Sequence, residues 1–450
     1  MIRLAELLDA GGTGTELPTP WQRFRDRLPR LATALASKGV SSDIQVLAVF
    51  TPGRIEVLGK HTDYGGGRSL VVGTEQGILL LAAASDDDRM FLHDISRDQS
   101  TEFRIGPDLE VADPHWPLYP KTVARRLARD FSSKLQGATC VFDSDLPAAA
   151  GLSSSSVLVV AVFLTLARLN RLYDLPEFRR EIHSQKDLAG FLGAIENGRG
   201  FGSFSSDLGV GTAGGDQDQT AILCSKAGYL QQFSYLPTRL ERQIEMPDGM
   251  AFAVGTSGVR AKKTGSARAQ YNRASGLLTC VLEVWNHSTG RNDPSLGAVL
   301  EQGTDTAEKL EEILTTHRDA AFTSEELLIR LRHFRAETEE IVPAAGDALE
   351  GRDLAGFGAV VDRSQELVDK LLGNQIPETI FLAREARHLS AVAASAFGAG
   401  FGGAVWALVR QDNVEGFLEH WRESYLAQHP EHAESSEFFW TAAGDGAVEL

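Results

Sequence analysis

Apolar residues recur along this chain with two periods that interrupt one another. Alternating or continuous aliphatic runs predict strands over 44–50, 55–59, 69–84 (with a turn near 75–77), 138–142, 250–256 and 402–409. Thr51-Pro52-Gly53-Arg54 is expected to break the first two apart, and weaker alternation over 90–103 and 220–235 predicts hairpins. Helical spacing covers 21–38, 120–135, 157–169, 178–197, 267–285, 306–316, 324–340, 354–372, 377–394 and 414–428, and residues 1–12 read as a short amphipathic helix. Residues 198–217 carry too much Gly and Ser for either period and read as a loop. Strands and helices mix without regular βαβ alternation, which predicts an α+β fold. The expected organisation is an N-terminal helical extension over 1–44, one domain over 45–240 and a second over 241–450, with the boundary near Pro237 and Pro247.

Composition narrows the function classes. The 450 residues carry 61 acidic and 44 basic side chains, a net charge of −17, so the general basic footprint of a nucleic-acid or anionic-membrane binder is missing. Three widely spaced cysteines, Cys140, Cys224 and Cys280, fit thiols of a reducing compartment better than a disulfide frame or a zinc site. The first residues lack the apolar core of a signal peptide, and no apolar run reaches 18 residues. A cytoplasmic protein with no membrane partner is expected. A Walker-type phosphate loop and a dinucleotide-binding fingerprint are both absent.

Four small-residue clusters carry the candidate chemistry. In LPAAAGLSSSS (146–156) a loop of small residues runs into four hydroxyls and then into an apolar helix. Such a segment reads as a Ser-capped buried helix or as an anion site, where free backbone N–H groups and the helix dipole meet a phosphate and a serine is available to Mg²⁺. The second cluster, PGRIEVLGKHTDYGGG (52–67), sets a cation, an imidazole and a carboxylate among glycine turns, as a polar turn or as a partner for sugar hydroxyls. FGAGFGGA (397–404) reads as a tight helix–strand turn or a close backbone approach to a ligand. GGDQDQT (214–220) holds an acid in a turn, which either forms the turn or takes a proton from a substrate hydroxyl.

Taken in order, these clusters resemble the GHMP kinase superfamily, and most closely the galactokinases. The family motif G-R-V-N-L-I-G-E-H-T-D-Y-N-G-G stands here as GRIEVLGKHTDYGGG, P-x-x-x-G-L-S-S-S matches 147–155, and G-A-G-F-G-G matches 398–403. Trp116 with Tyr119 and Lys121, Asp218-Gln219 and Tyr271-Asn272-Arg273 fall between them in family order. The resemblance implies a two-domain fold, an S5-like mixed-sheet domain and a ferredoxin-like α+β domain with the site in the cleft between them. It implies an ATP-dependent sugar 1-kinase that uses Mg²⁺. By the same carry-over Arg54 and Asp218 are the catalytic pair, and Lys60, His61, Asp63 and Tyr271 face the sugar. Trp116 packs the adenine, Gly151, Leu152, Ser153, Ser154 and Ser155 wrap the phosphates, and Ser155 with Glu196 holds the metal. A monomer or homodimer is expected.

The chain departs from the family at several points. Lys60 stands where galactokinases carry a Glu that reaches the carbon-6 hydroxyl, and Glu56 replaces an Asn. Lys60 either pairs with a carboxylate on carbon 6 of a uronic acid or pairs with a local acid such as Glu56 and touches no ligand. Ser156 stands where the family often has Ala, and Asp216 is a rival to Asp218 as the acid. Galacturonate, glucuronate or arabinose are alternative substrates; a non-sugar alcohol kinase and a non-catalytic sugar sensor are the other readings.

Overall fold

The computed structural model describes residues 1–9, 19–113, 115–131, 134–147, 151–259, 266–318 and 321–449; Ala148, Ala149 and Ala150 of the serine loop lie outside them. The strands among these residues are β1 (Ile2–Arg3), β2 (Gln45–Leu58), β3 (Arg68–Ala84), β4 (Arg89–Asp94), β5 (Gln99–Arg104), β6 (Ala138–Ser144), β7 (Tyr229–Ser234), β8 (Arg239–Glu245), β9 (Met250–Thr256), β10 (Ala393–Phe397), β11 (Ala404–Arg410), β12 (Phe438–Thr441) and β13 (Val448–Glu449). The first sheet has nine strands in the order β1-β2-β3-β6-β4-β5, with β13 also on β2 and the β7–β8 hairpin on β3. Only β4–β6 is parallel. The second sheet is antiparallel, in the order β10-β11-β9-β12.

Two expected breaks do not occur. β2 runs straight through Thr51-Pro52-Gly53-Arg54, and β3 through 75–77, because the two strands bulge against each other. Pro52 pairs with Gly77 and Arg54 with Gly73, so residues 74–76 loop out opposite Gly53. A bulge is where a strand tolerates a Pro that has no N–H to donate.

Alternation on the long strands buries both faces of the first sheet. Val46, Ala48, Phe50, Leu79 and Leu81 meet Leu4, Leu7, Trp21, Leu28, Leu31 and Leu35. The helices Leu4–Asp9 and Leu28–Ser37 therefore cover the sheet. Leu47, Val49, Ile55, Val57 and Leu80 face the other way, into a core shared with the apolar helix Ser154–Leu169 and with Phe252, Val254, Trp406 and Leu408 of the second sheet. The two sheets thus meet through one continuous core.

Other expectations shift at their edges. The helix expected over 178–197 divides into Pro176–Glu181 and Gln185–Asn197, where Ser184 caps the second piece by accepting the Asp187 N–H. Residues 220–235 are not a hairpin: Gln217–Cys224 is helical, and β7 pairs with the later β8. The helix from Pro377 ends at His388, and 393–397 is β10, so FGAGFGGA joins two antiparallel strands. No helix among the described residues is long and apolar enough to cross a membrane.

Candidate active site

All four clusters converge because their backbones permit close approach. Gly151 and Gly398 both have positive φ, and a Cβ on either would lie 3.1 Å from a carbonyl oxygen of the other loop. Gly215 is pressed onto the second cluster: its added Cβ would come within 2.4 Å of Asp63 Oδ2. The result is a cavity of about 400 Å³ between the sheets.

Arg54 projects from the bulged part of β2, buried at 4% exposure. Its Nε donates to Asp218 Oδ1 at 2.7 Å and one terminal nitrogen to the Gly151 carbonyl at 2.5 Å. Burial works against this guanidinium's charge, but Asp218 and Glu56 more than offset it and hold its pKa above the usual value. Asp218 lies in the first turn of Gln217–Cys224 and lines the cavity. Its rival Asp216 does not line it; Asp216 Oδ2 accepts the Thr238 hydroxyl instead.

His61 and Asp63 line the same end, with Tyr271 across from them. Burial first and Arg330 second push the His61 pKa down to about 3, so the imidazole is neutral. Its Nε2 faces the Ala399 carbonyl at 3.2 Å and Nδ1 faces the Tyr64 hydroxyl at 3.0 Å. A carbonyl can only accept, so Nε2 carries the proton and Nδ1 accepts from Tyr64. Asp63 accepts the Gln217 N–H, while burial and then Asp218 raise its pKa. The Tyr271 ring packs 5.1 Å from that of His61, which makes an aromatic wall.

Lys60 requires a correction. Its side chain is 1% exposed and does not line the cavity. The ammonium donates to Ser364 Oγ at 3.1 Å and Ser395 Oγ at 2.8 Å, in the layer between β10 and the helix Leu354–Leu367. Chain direction explains this: His61 has a left-handed backbone (φ 57°), so neighbouring side chains leave the turn on opposite sides. Leu152 likewise points into the core, leaving only its backbone for a ligand.

Gly151, Ser153, Ser154, Ser155 and Ser156 line the middle of the cavity, and Ser153 Oγ is buried without a hydrogen-bond partner among the described residues. Ser153 itself has a left-handed backbone (φ 60°) and starts the helix Ser154–Leu169. Glu196, in the last turn of Gln185–Asn197, turns in beside this loop and accepts from Ser156 Oγ at 2.7 Å and Gln219 Nε2 at 2.6 Å. Ser156 Oγ is also 3.3 Å from Asp218 Oδ2, so one hydroxyl links the two carboxylates. At the far end Trp116 lies edge-on to Phe142, with Tyr119 and the Asp94–Arg97 pair. Sequence reasoning gave no role to Asn197, Arg97 or Phe142. Asn197 ties the loop over 198–217 to the site through Gly214 and Gly215, a link between residues far apart in sequence.

Among the described residues, Asp63, Asp94, Glu196 and Asp218 face this cavity with Arg54 and Arg97, each already paired with an acid. A polyphosphate entering beside the serines meets net negative charge. The hard oxygen donors of Ser155 and Glu196 fit a divalent cation that would offset it.

Three family models match in chain order: the galactokinase galactose-binding signature over 39–84, the GHMP kinases N terminal domain over 119–226 and the GHMP kinases C terminal over 345–427. The chain belongs to the GHMP kinases. Within them it is galactokinase-like, a phosphotransferase of the sugar-kinase class with ATP as its phosphoryl donor. A galactokinase of Roseiflexus sp. (strain RS-1) is 28% identical over 379 residues, 84% of this chain and 87% of the relative. A galactokinase of Chloroflexus aggregans is 28% identical over 82% of this chain and 85% of its own length. The crystal structure of Lactococcus lactis galactokinase complexed with galactose superposes with a TM-score of 0.72 at 23% identity, over 93% of this chain and 99% of that one.

Proposed function

We propose that this protein transfers the γ-phosphoryl group of ATP to the anomeric hydroxyl of galactose or a neutral sugar of similar shape. The observation that carries the reading is the Arg54–Asp218 pair at 2.7 Å, held between the serine loop and the histidine–aspartate cluster. The galactokinase names of the relatives and the galactose in the Lactococcus structure support the choice of sugar.

The chemistry follows from this placement. The anomeric oxygen attacks the γ-phosphorus, the bond from that phosphorus to the β,γ-bridging oxygen breaks, and ADP leaves. Asp218 takes the hydroxyl proton and then passes it to solvent. Its pairing with Arg54 keeps the carboxylate aimed at the acceptor. Arg54, fixed at two nitrogens, supplies positive charge where the transferring group develops negative charge. Ser153, Ser154 and the loop backbone at Gly151 and Leu152 bind phosphate oxygens, and Trp116 covers the base. Ser155 and Glu196 would hold Mg²⁺, whose role when bound is to neutralise phosphate charge. Asp63 and Tyr271 orient sugar hydroxyls.

The acid-lined acceptor end favours a neutral sugar over a uronic acid. Both cavity guanidiniums are paired, and the Lys60 ammonium lies elsewhere. The test is ADP release with Mg-ATP across galactose, glucose, arabinose, galacturonate and glucuronate. Turnover on galactose that disappears in Asp218→Asn supports the proposal. Turnover on a uronic acid in preference to galactose overturns the choice of sugar, and turnover on none overturns the kinase reading.

A further inference from the structure

Arg54 and Glu56 lie two residues apart on β2, and both line the cavity. Glu56 is 2% exposed. Its Oε2 accepts the Gly398 N–H at 3.0 Å, which ties the side chain to the β10–β11 loop. Its Oε1 is also buried and has no hydrogen-bond partner among the described residues. A buried carboxyl oxygen left unpaired is costly, and because Glu56 lines the cavity a ligand hydroxyl there can supply the missing partner.

We propose that Glu56 is a specificity-determining residue of the acceptor subsite, its Oε1 engaging a sugar hydroxyl other than the anomeric one. This rests on the sugar-kinase reading above. The anchoring at Oε2 fixes where Oε1 sits, so the carboxyl discriminates by position.

The surroundings also define its proton. Burial is the largest influence and pushes the Glu56 pKa up to about 8, against the pull of Arg54, Lys60 and the Gly398 amide and with the push of Asp63. The phenols of Tyr64 and Tyr235 also lie within electrostatic reach of it, and His61 and Asp218 line the same cavity. Oε2 accepts from an amide, so in the neutral form the proton sits on Oε1. Glu56 then donates to the sugar oxygen at pH 7 and loses this donor as pH rises through about 8.

The experiment measures KM for galactose, and for its 2-, 4- and 6-deoxy forms, in wild type, Glu56→Ala and Glu56→Gln at pH 7 and 9. KM for ATP serves as the internal control. Glu56→Ala is expected to raise the galactose KM about tenfold at pH 7, the equivalent of one hydrogen bond, while the ATP KM moves less than twofold. One deoxy sugar, lacking the hydroxyl that Glu56 reads, is expected to show no such penalty. In wild type the galactose KM rises from pH 7 to pH 9. In Glu56→Gln that rise disappears, because the amide keeps its donor at both pH values. Three results overturn the inference: a wild-type KM flat across this range, a Gln variant with the same rise as wild type, or an Ala penalty equal for every sugar. If Glu56→Ala does not fold, the pH comparison with Glu56→Gln decides alone. Wild-type turnover separates the two claims: with galactose phosphorylated and the variants unremarkable, only the role of Glu56 falls, whereas no phosphorylation of any sugar removes both.

Discussion

Replacing Lys60 by Met tests the structure where it departs most from the sequence reading. The ammonium is buried, donates to Ser364 and Ser395, and lies near two acids, Glu337 and Glu56. Burial is the main influence and lowers its pKa, with Glu337 and then Glu56 pulling it back. Glu337 is itself fully buried, accepting the Gly59 N–H at 2.9 Å and the Ser364 hydroxyl. Met matches the length and fills the space, so little of the loss comes from a cavity. What goes is two hydrogen bonds from a buried charged donor and the charge that faces Glu337 across Ser364, a loss of about 3–5 kcal/mol. With about 2.1 cal/mol/K of unfolding entropy per residue, 450 residues unfolding together convert this into a Tm drop of about 3–5 °C. Differential scanning calorimetry of Lys60→Met, Glu337→Gln and the double variant measures it. The double variant is expected to recover much of the loss, giving a coupling of about 1–3 kcal/mol. A Tm drop below 1 °C together with a rise in sugar KM would refute the reasoning, since it would put the ammonium in the sugar site. Lys60→Glu is a poor test, because it adds a third carboxylate to a buried pair.

Further outcomes follow from the same geometry. Arg54→Lys is expected to lower kcat about a thousandfold in a coupled ADP assay, because an ammonium cannot hold Asp218 and the Gly151 carbonyl in the same plane. Ser156→Ala removes the hydroxyl between Glu196 and Asp218; kcat should fall about tenfold with less change in sugar KM, and Ser156→Thr should restore part of it. Asp216→Asn should retain turnover where Asp218→Asn abolishes it. It should also stabilise the protein: burial first raises the Asp216 pKa to about 6, above its unfolded value, so wild type loses stability as pH rises from about 4 to 6. The Tm advantage of Asp216→Asn is therefore expected to grow over that interval and stay level above it.

The site was legible in sequence wherever local backbone chemistry defines it. Gly151, Ser153 and the apolar run after Ser156 require a loop that opens onto a helix N-terminus, and the structure has that arrangement. Two strands of the second sheet, β9 and β11, were readable because they are almost wholly buried and apolar residues dominate them. Elements failed where tertiary pairing overrode a local signal. Pro52 and Gly77 look like breaks until β2 and β3 bulge against each other, and the helical spacing runs on to 394 until Ala393 and its neighbours pair with β11.

By itself, then, the sequence determined the class of the chain, through three ordered small-residue clusters, and the residue types gathered at the site. Tertiary structure decided which way each side chain points. Lys60 and His61 are adjacent, yet one is buried against Ser364 and Ser395 while the other lines the cavity. Asp216 and Asp218 are two apart, yet only the second reaches Arg54. These choices depend on turn geometry and on partners up to 335 residues away, and no spacing rule along the chain encodes them.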